Sequence, residues 1–349
     1  MLIAAIDRVI GICPQAINPM KRIVLAVASL LLAFVSFLIP AAPVIAAPAV
    51  DQLIKGDVKT VGDGKVWTWV KVNQKTGIPS SLGITMTPGS LRGLPADNES
   101  AQNDSLKLKL IDGSPYHNFE YELRFPDEAR STAFNHMGFN WNPEGHGPLP
   151  GVFYSPHFDV HFYMATTDYR HSITNTELAG DHIQTIEPPV DFLPSTYSRA
   201  PHTSEPRMGT HYADMSSDQL KPGGFDNIFL FGAHNGNVLF WEPMLTRDYL
   251  LSKPDFTASI PQPKAFPVSG YYPLSYSVKY DEKTGNINIS LDQLTLRHAS
   301  YPGNVYGVSP CLDSRLVDII FNKHQAKPDS VSVPDGCKAL EPIIKKQLS

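Results

Sequence analysis

Residues 157–163 have the sequence His-Phe-Asp-Val-His-Phe-Tyr, whose aromatic and β-branched side chains predict a β-strand. Side chains alternate between the two faces of a strand, so His157, Asp159 and His161 lie on one face and only apolar residues lie on the other. A buried polar face must be satisfied, and one metal ion satisfies several side chains at once. The stretch therefore predicts a strand that carries metal-ligand chemistry on one face.

The spacing along this strand limits which residues can share one ion. His157 and His161 are four residues apart, which is about 13 Å on a strand, whereas residues two apart are separated by about 7 Å. We therefore expect either a bend near Pro156 or a division in which Asp159 pairs with one histidine and the other acts separately. A polar network of His and Asp without a metal is the alternative interpretation.

Two residues elsewhere are the best partners for this face. His211 lies in a Gly-Thr-His-Tyr run, and Glu242 interrupts the apolar segment 238–244, where an unpaired carboxylate would be costly to bury. The predicted ligand set is therefore His157, His161, His211 and Glu242. Three His and one Glu suit a divalent transition metal, with zinc expected first, and are used by cupin-type barrels. In the alternative, His211 is a hydrogen-bonding core histidine and Glu242 forms a salt bridge at the rim.

Outside this set the sequence contains few chemical signals. His146 lies in the Pro- and Gly-rich loop 142–150 and is interpreted either as covering the site or as an exposed loop residue. The chain has no Gly-Lys-Ser phosphate loop, no Gly-x-Ser-x-Gly nucleophile motif and no His-Glu-x-x-His motif of zinc proteases. The metal hypothesis therefore depends on the central strand and its two partners.

The rest of the chain contains many short strand patterns. Asn235-Gly236 between two apolar runs predicts a type I′ hairpin, and a second hairpin turns at residues 281–285. This pattern, with few helical periods, predicts a mainly β fold: an antiparallel sandwich or a cupin-like barrel, with short helices and a C-terminal disulfide loop. The predicted strands are 66–72, 82–87, 119–125, 134–141, 157–163, 228–233, 238–242, 276–280 and 287–291.

The N-terminal segment 1–46 has the pattern of a secretory signal peptide. Lys21-Arg22 precede the apolar run 23–39, and Val44-Ile45-Ala46 form a small-residue cleavage site. We expect cleavage, a periplasmic or extracellular protein and no stable membrane insertion afterwards; an uncleaved membrane anchor is the rival interpretation. The expected organisation continues with a linker (47–60), a β-rich domain (61–300) and a C-terminal appendage (301–349).

Charge and cysteine content narrow the class of protein. The formal net charge is −5 and no basic cluster is present, which argues against a nucleic-acid partner. Cys311 and Cys337 are the two cysteines of the exported part, and such a pair predicts one disulfide that closes a C-terminal loop. Two unrelated thiols are the alternative.

Four sequence blocks resemble a family of secreted bacterial proteins of unknown function, which includes a Thermus protein under extracytoplasmic sigma-factor control. The blocks are 141–146 (Trp-Asn-Pro-x-Gly-His), 156–163 (Pro-His-Phe-Asp-x-His-Phe-Tyr), 208–212 (Met-Gly-x-His-Tyr) and 240–244 (Phe-x-Glu-Pro-Met). The resemblance covers about residues 60–255 and implies a β-rich exported domain, compatible with a homo-oligomer, but no established reaction. The chain departs from the family pattern at Glu144 and in a longer loop between residues 170 and 207.

Three functional hypotheses follow. The first is an exported metal-binding β-protein, which as an enzyme would use the ion as a Lewis acid or to activate water, on an unknown substrate. In it, Asp159 is a ligand or orients a histidine. The second is a non-enzymatic envelope or ligand-binding protein, whose aromatic-rich pocket holds a small apolar or sugar-like molecule beside a structural His/Asp network. The third is a structural oligomer.

Overall fold

A computed structural model of the protein describes residues 51–95, 105–109, 115–147, 149, 151–174, 177, 180 and 182–300. The predicted signal peptide and the C-terminal appendage with its Cys311–Cys337 bridge lie outside the described residues. Within them, no helix is long and apolar enough to cross a membrane.

Two antiparallel sheets contain most of the strands. The first has six strands in the order β1 (Asp51–Val61), β2 (Gly64–Asn73), β3 (Pro79–Met86), β15 (Ile287–Asp292), β14 (Ser275–Tyr280) and β12 (Asp255–Ser259). The second has eight strands in the order β4 (Ser105–Lys109), β5 (Pro115–Arg124), β6 (His136–Asn142), β7 (His157–Tyr163), β11 (Asn237–Thr246), β10 (Asn227–His234), β9 (Thr210–Asp214) and β8 (Tyr197–Arg199).

The remaining elements are short. Strands β13 (Gly270–Tyr272) and β16 (Thr295–Arg297) form a two-stranded sheet, and the α-helices are α1 (Thr167–Ser172) and α2 (Arg247–Leu251). Single 3-10 turns span Pro88–Leu91, Asp127–Ser131, His182–Thr185, Val190–Phe192 and Asp218–Leu220. The expectation of short helices is confirmed.

The two large sheets pack face to face around one apolar core. Val70 and Leu82 of the first sheet join Phe158, Val160 and Phe162 of β7 in the same buried cluster. Apolar burial of this kind is the main stabilising contribution to a sandwich. The predicted antiparallel sandwich is therefore confirmed, whereas the alternative of a cupin-like barrel is wrong, because neither sheet closes on itself among the described strands.

Local sequence signals located several strands correctly. The β10–β11 hairpin turns at Asn235 and Gly236, whose φ angles of +50° and +75° are those of a type I′ turn. The second hairpin, β14–β15, is also present, and β7 has the predicted bounds. These signals are local, so they do not depend on knowledge of the tertiary fold.

Residues 47–60 were expected to form a linker, but from Asp51 onward they form strand β1. Strand β1 pairs with β2 along its length, with a bulge between Lys55 and Val58. Most of its side chains are at least partly exposed because it is the edge strand of the sheet. An exposed, bulged edge strand lacks the regular alternation that marks a strand in sequence.

Strand β7 lies near the middle of the eight-stranded sheet, between β6 and β11, and all of its residues are buried. One face contacts the sandwich core. The other face is covered by loops: Phe225 packs edge-on against the ring of His157, and Phe153 packs edge-on against Phe225. The polar face predicted from the sequence is therefore enclosed within the protein.

Candidate metal centre

Two groups of ligand-type side chains lie on the covered face of the eight-stranded sheet. The ligand atoms within each group are all within 4.8 Å of one another. The first group is His161, His211 and Glu242, and the second is His146, His157 and Asp159. Groups of buried His, Asp and Glu with this geometry could hold a metal ion.

The strands bring the first group together. His161 lies on β7, and Glu242 lies on the adjacent β11 between the register pairs Trp241–Phe162 and Met244–Asp159. His211 lies on β9, and the ring of Phe240 is packed edge-on against both histidine rings, with centroid distances of 4.7 Å and 5.4 Å. The packing therefore fixes the direction of both imidazoles.

The packing of the Phe240 ring against the two histidines requires a glycine at position 232. Gly232 of β10 pairs with both His211 and Phe240, so it lies between them in the sheet. A Cβ atom at Gly232 would be 1.9 Å from Cζ of Phe240. The Phe240 ring can occupy its position only because residue 232 has no side chain.

The ligand atoms of the first group lie close together but form no hydrogen bonds with one another. The Nε2 atom of His161 is 3.2 Å from Oε1 of Glu242, and Nε2 of His211 is 3.5 Å from Oε2. Neither carboxylate oxygen has a hydrogen-bond partner, although Glu242 is only 1% exposed. Ligands about 2.0–2.1 Å from a tetrahedral zinc ion are separated from each other by about 3.3 Å, so these distances fit a shared ion.

A hydrogen bond determines the tautomer of His211, and therefore whether the nitrogen that faces Glu242 carries a proton or a lone pair. Its Nδ1 donates to the Thr203 carbonyl oxygen at 2.7 Å, and a carbonyl can only accept. In the neutral ring, Nε2 therefore carries a lone pair that points toward the carboxylate. Histidines that bind metals are commonly oriented by the same kind of Nδ1–H donation.

Burial controls the protonation of the first group. It lowers the pKa of His161 to about 3 and also lowers the pKa of His211, so both rings are neutral at neutral pH. Burial, together with nearby Asp159 and Glu205, raises the pKa of Glu242 well above its usual value. The raised pKa means that metal-free Glu242 favours its protonated form, and a divalent ion that binds there beside the two neutral imidazoles displaces this proton.

The second group has similar distances but the opposite protonation pattern. The Nε2 atom of His157 is 3.2 Å from Oδ1 of Asp159, and Nε2 of His146 is 3.8 Å from Oδ2. Burial opposes ionisation of Asp159, but His157 and His146 hold its pKa well below the usual range. Despite its burial, His146 has a pKa raised to about 9 by Asp159 and Glu205.

One small cavity lies against both groups. Its volume is about 20 Å³, and its walls include His146 and Asp159 from the second group and His211 and Glu242 from the first. A cavity of about 10–15 Å³ already accommodates one water molecule. The space between the groups therefore suits a water-sized species and is too small for a sugar or an apolar organic ligand.

A third group, Glu120, Glu122 and His171, has a different character. Arg170 contacts both carboxylates, with Nη1 donating to Glu122 at 2.9 Å, and Arg207 donates to Glu120 at 2.9 Å. Two guanidinium groups thus balance the two carboxylates. This group is a structural ion-pair network rather than a candidate metal site.

The structure divides the four ligands predicted from the sequence. It brings His161, His211 and Glu242 together, and it places His157 in the other group, beside Asp159. Two arrangements were expected for the strand: a bend, or a division in which Asp159 pairs with one histidine and the other acts separately. The structure shows the division, with His157 beside Asp159 and His161 in the other group.

His146 belongs to the second group and Asn142 hydrogen-bonds to it, but neither was among the ligands predicted from the sequence. Gly145, with φ of +68°, turns the loop so that the His146 amide donates to the Phe153 carbonyl at 2.9 Å. Asn142 pairs with His157 in the sheet register and donates to Asp159 at 2.7 Å. The available signal was the proximity of Asn142 and Gly145-His146 to the central strand within one short block.

The family model described as "TTHB210-like: Hypothetical protein TTHB210" matches residues 75–141. This match supports a relation to the Thermus protein's family, which has no known function. The matched segment covers β3 to most of β6 and ends before all six residues of the two ligand groups. No curated protein and no solved structure matches the chain.

Proposed function

We propose that the protein is an exported metal-binding β-sandwich protein in which His161, His211 and Glu242 hold one divalent transition-metal ion, with zinc expected first. The observation that carries this proposal is the Glu242 carboxylate, which is buried with no hydrogen-bond donor on either oxygen. Leaving a buried carboxylate unsatisfied is strongly unfavourable. An ion bound to it and to two neutral imidazoles offsets this cost.

A metal-free polar network accounts for these contacts less well. In such a network the carboxyl group and the two Nε2 atoms would hydrogen-bond one another, and a protonated Glu242 has only one proton to donate to the two histidines. The Nδ1 proton of His211 is already donated to Thr203, so Nε2 of the neutral ring has none to give. The Nε2 atom of His161 also has no hydrogen-bond partner. A cation shared by the three side chains satisfies all of these atoms together.

The ligand number favours a reactive ion over a purely structural one. Structural zinc sites usually have four protein ligands, whereas catalytic sites have three, often two His and one Glu, with water in the fourth position. The first group has three such ligands, and a water-sized cavity adjoins His211 and Glu242. An ion there would activate water or polarise a carbonyl or phosphoryl oxygen. Hydrolysis is therefore the first reaction class to test.

Export is part of the proposal. It is supported by Lys21-Arg22, the apolar run 23–39 and the small residues that end at Ala46. Fractionation of cells that express the natural gene should find a shortened chain outside the cytoplasm. A full-length chain in the cytoplasm would contradict export without affecting the metal hypothesis. A homo-oligomer remains compatible with the proposal and is tested by light scattering.

A second candidate is a protein that binds an organic ligand at a different place. An open groove of about 290 Å³ is lined by Trp141, Leu91, Leu94 and Arg247, among others. Its size suits a small organic molecule. In this case the histidine groups are structural, and the purified protein contains no stoichiometric metal.

Elemental analysis tests the proposal. The mature protein is expressed with export and purified without a chelator or histidine tag, alongside the His211→Ala variant. A matched control is His298→Ala, which removes an exposed histidine. We expect stoichiometric transition metal in the wild type and in the control, and one equivalent less in His211→Ala. Wild-type protein that is folded and binds no zinc on dialysis against it would overturn the proposal.

A further inference from the structure

We infer that His146, His157 and Asp159 bind a second divalent cation, so that the small cavity adjoins two ions. The inference deepens the proposed function because it concerns the same cavity. Its three ligands are nevertheless different residues from those of the first group, and they come from a loop and one end of β7.

His157 provides the strongest observation. Its Nδ1 donates to the Ser155 carbonyl oxygen at 2.7 Å, so Nε2 of the neutral ring has a lone pair. This lone pair faces Oδ1 of Asp159 at 3.2 Å, and neither atom has a hydrogen-bond partner. Two buried acceptors that face each other need either a proton or a cation between them.

Asp159 is held so that one oxygen is available. The side-chain amide of Asn142 donates to Oδ2 at 2.7 Å, and Asn142 is fully buried. This bond fixes the carboxylate plane and leaves Oδ1 directed at His157. Carboxylate ligands of metal ions are oriented by hydrogen bonds of this kind.

His146 completes the group from the loop. Its Nδ1 is 2.8 Å from the Gly147 carbonyl oxygen, so this nitrogen is the donor and Nε2 faces Asp159. Its ring lies edge-on to the ring of His157, with 4.7 Å between centroids. Three histidines, His146, His157 and His211, therefore share one arrangement in which Nδ1 faces a carbonyl and Nε2 faces a carboxylate.

The acidic side chains around the cavity favour cation binding. Asp159, Glu205 and Glu242 all line it, and among its described lining residues there is no Lys or Arg. This contrasts with the Glu120 and Glu122 network, where arginines balance the acids. The cavity that adjoins both groups accommodates about one water molecule, and ions held by these residues would be able to polarise such a water.

The alternative is an ion pair between a protonated histidine and Asp159, with no second metal. Both interpretations explain the short distances, but they differ in stoichiometry. An ion pair gives one bound ion in the whole protein, whereas the inferred site gives two. The number of zinc ions bound by the intact protein therefore separates them.

The experiment uses metal-free mature protein, dialysed against zinc and analysed for bound metal. His146→Ala and His211→Ala remove the most exposed histidine of each group, with side-chain exposures of 12% and 11%. We expect two equivalents in the wild type and in the control His298→Ala, one in each single variant and none in the double variant. Circular dichroism verifies that each variant is folded.

The outcomes separate the two proposals. One equivalent in the wild type that is lost in His211→Ala and kept in His146→Ala overturns the second site and leaves the first intact. One equivalent with the reverse sensitivity overturns the first site and the two-ion arrangement and places the single ion at His146, His157 and Asp159, and no metal overturns both sites. If a variant does not fold, the wild-type stoichiometry still decides, since a single equivalent contradicts two sites.

Discussion

Asp159 and His161 lie two residues apart on the same face of β7, yet they face different partners. Oδ1 of Asp159 is 3.2 Å from Nε2 of His157, while Nε2 of His161 is 3.2 Å from Oε1 of Glu242. Residues two apart on a strand are close enough to share an ion, as His157 and Asp159 are, but His161 faces Glu242 on the adjacent β11 instead. The strand geometry thus produces two centres from one short motif.

The variant Glu242→Gln tests whether the Glu242 carboxylate is a metal ligand. Glutamine keeps the shape but cannot ionise, whereas burial raises the pKa of Glu242, so the metal-free variant should be more stable than the wild type, increasingly so as the pH rises above about 4.5. Zinc affinity of the first site should fall at least about 100-fold because an anionic ligand is lost. Calorimetry with and without zinc measures both effects. Lower stability of the metal-free variant would instead indicate that Glu242 accepts hydrogen bonds in a metal-free network.

The variant Gly232→Ala tests whether the packing of Phe240 orients the rings of His161 and His211. The new Cβ would clash with the Phe240 ring, so we expect a loss of about 1–3 kcal/mol in free energy of unfolding and weaker zinc binding. Denaturant unfolding and zinc titration measure the changes. In the double variant Gly232→Ala/Phe240→Leu the two effects should be strongly non-additive. Additive effects would mean that the ring does not depend on the glycine.

Arg170→Met tests the structural network next to the site. Arg170 is fully buried between Glu120 and Glu122, so its removal leaves uncompensated charge, and we expect a loss of about 3–5 kcal/mol. The matched control is Arg130→Met, which breaks a surface pair with Asp127 and should cost about 1 kcal/mol or less. Equal losses in the two variants, measured by denaturant unfolding, would contradict the assigned role of Arg170.

The pH dependence of the metal-free protein should report on His161. Its folded-state pKa of about 3 is below the usual value of 6.5, so between these limits the unfolded chain binds more protons than the native state. The contribution of His161 to stability is therefore present above pH 6.5 and is lost progressively as the pH falls toward 3. We expect a steeper loss of unfolding free energy from pH 7 to 5 in the wild type than in His161→Gln. Equal slopes would show that the imidazole titrates normally.

The sequence was most informative where the signal is local. The bounds of β7 and the Asn235-Gly236 turn follow from alternation and turn chemistry within a few residues. Strand β1 was missed because it is an exposed edge strand with a bulge. The choice between sandwich and barrel depends on pairings such as β3 with β15, which join residues about 200 positions apart and leave no local pattern.

The residues of the candidate site that could be predicted are likewise those with a local sequence signal. His161, His211 and Glu242 were identified because each is a polar residue in a strand-like or glycine-flanked run. The strand spacing left open either a bend that unites His157 and His161 or a division between them, and only the folded structure distinguishes the two. His146 depends on the left-handed turn at Gly145 and on the hydrogen bond to Phe153, which are set by the folded loop.

The burial of every residue in β7 has a consequence for evolutionary change. One face of the strand supports the sandwich core and the other supplies ligands, so a substitution at nearly every position affects either folding or the ligand groups. Neutral drift within this strand should therefore be slow. His146, on a loop, and His211, at a more exposed position, are where a descendant protein could exchange a ligand and acquire a different metal preference with the least loss of stability.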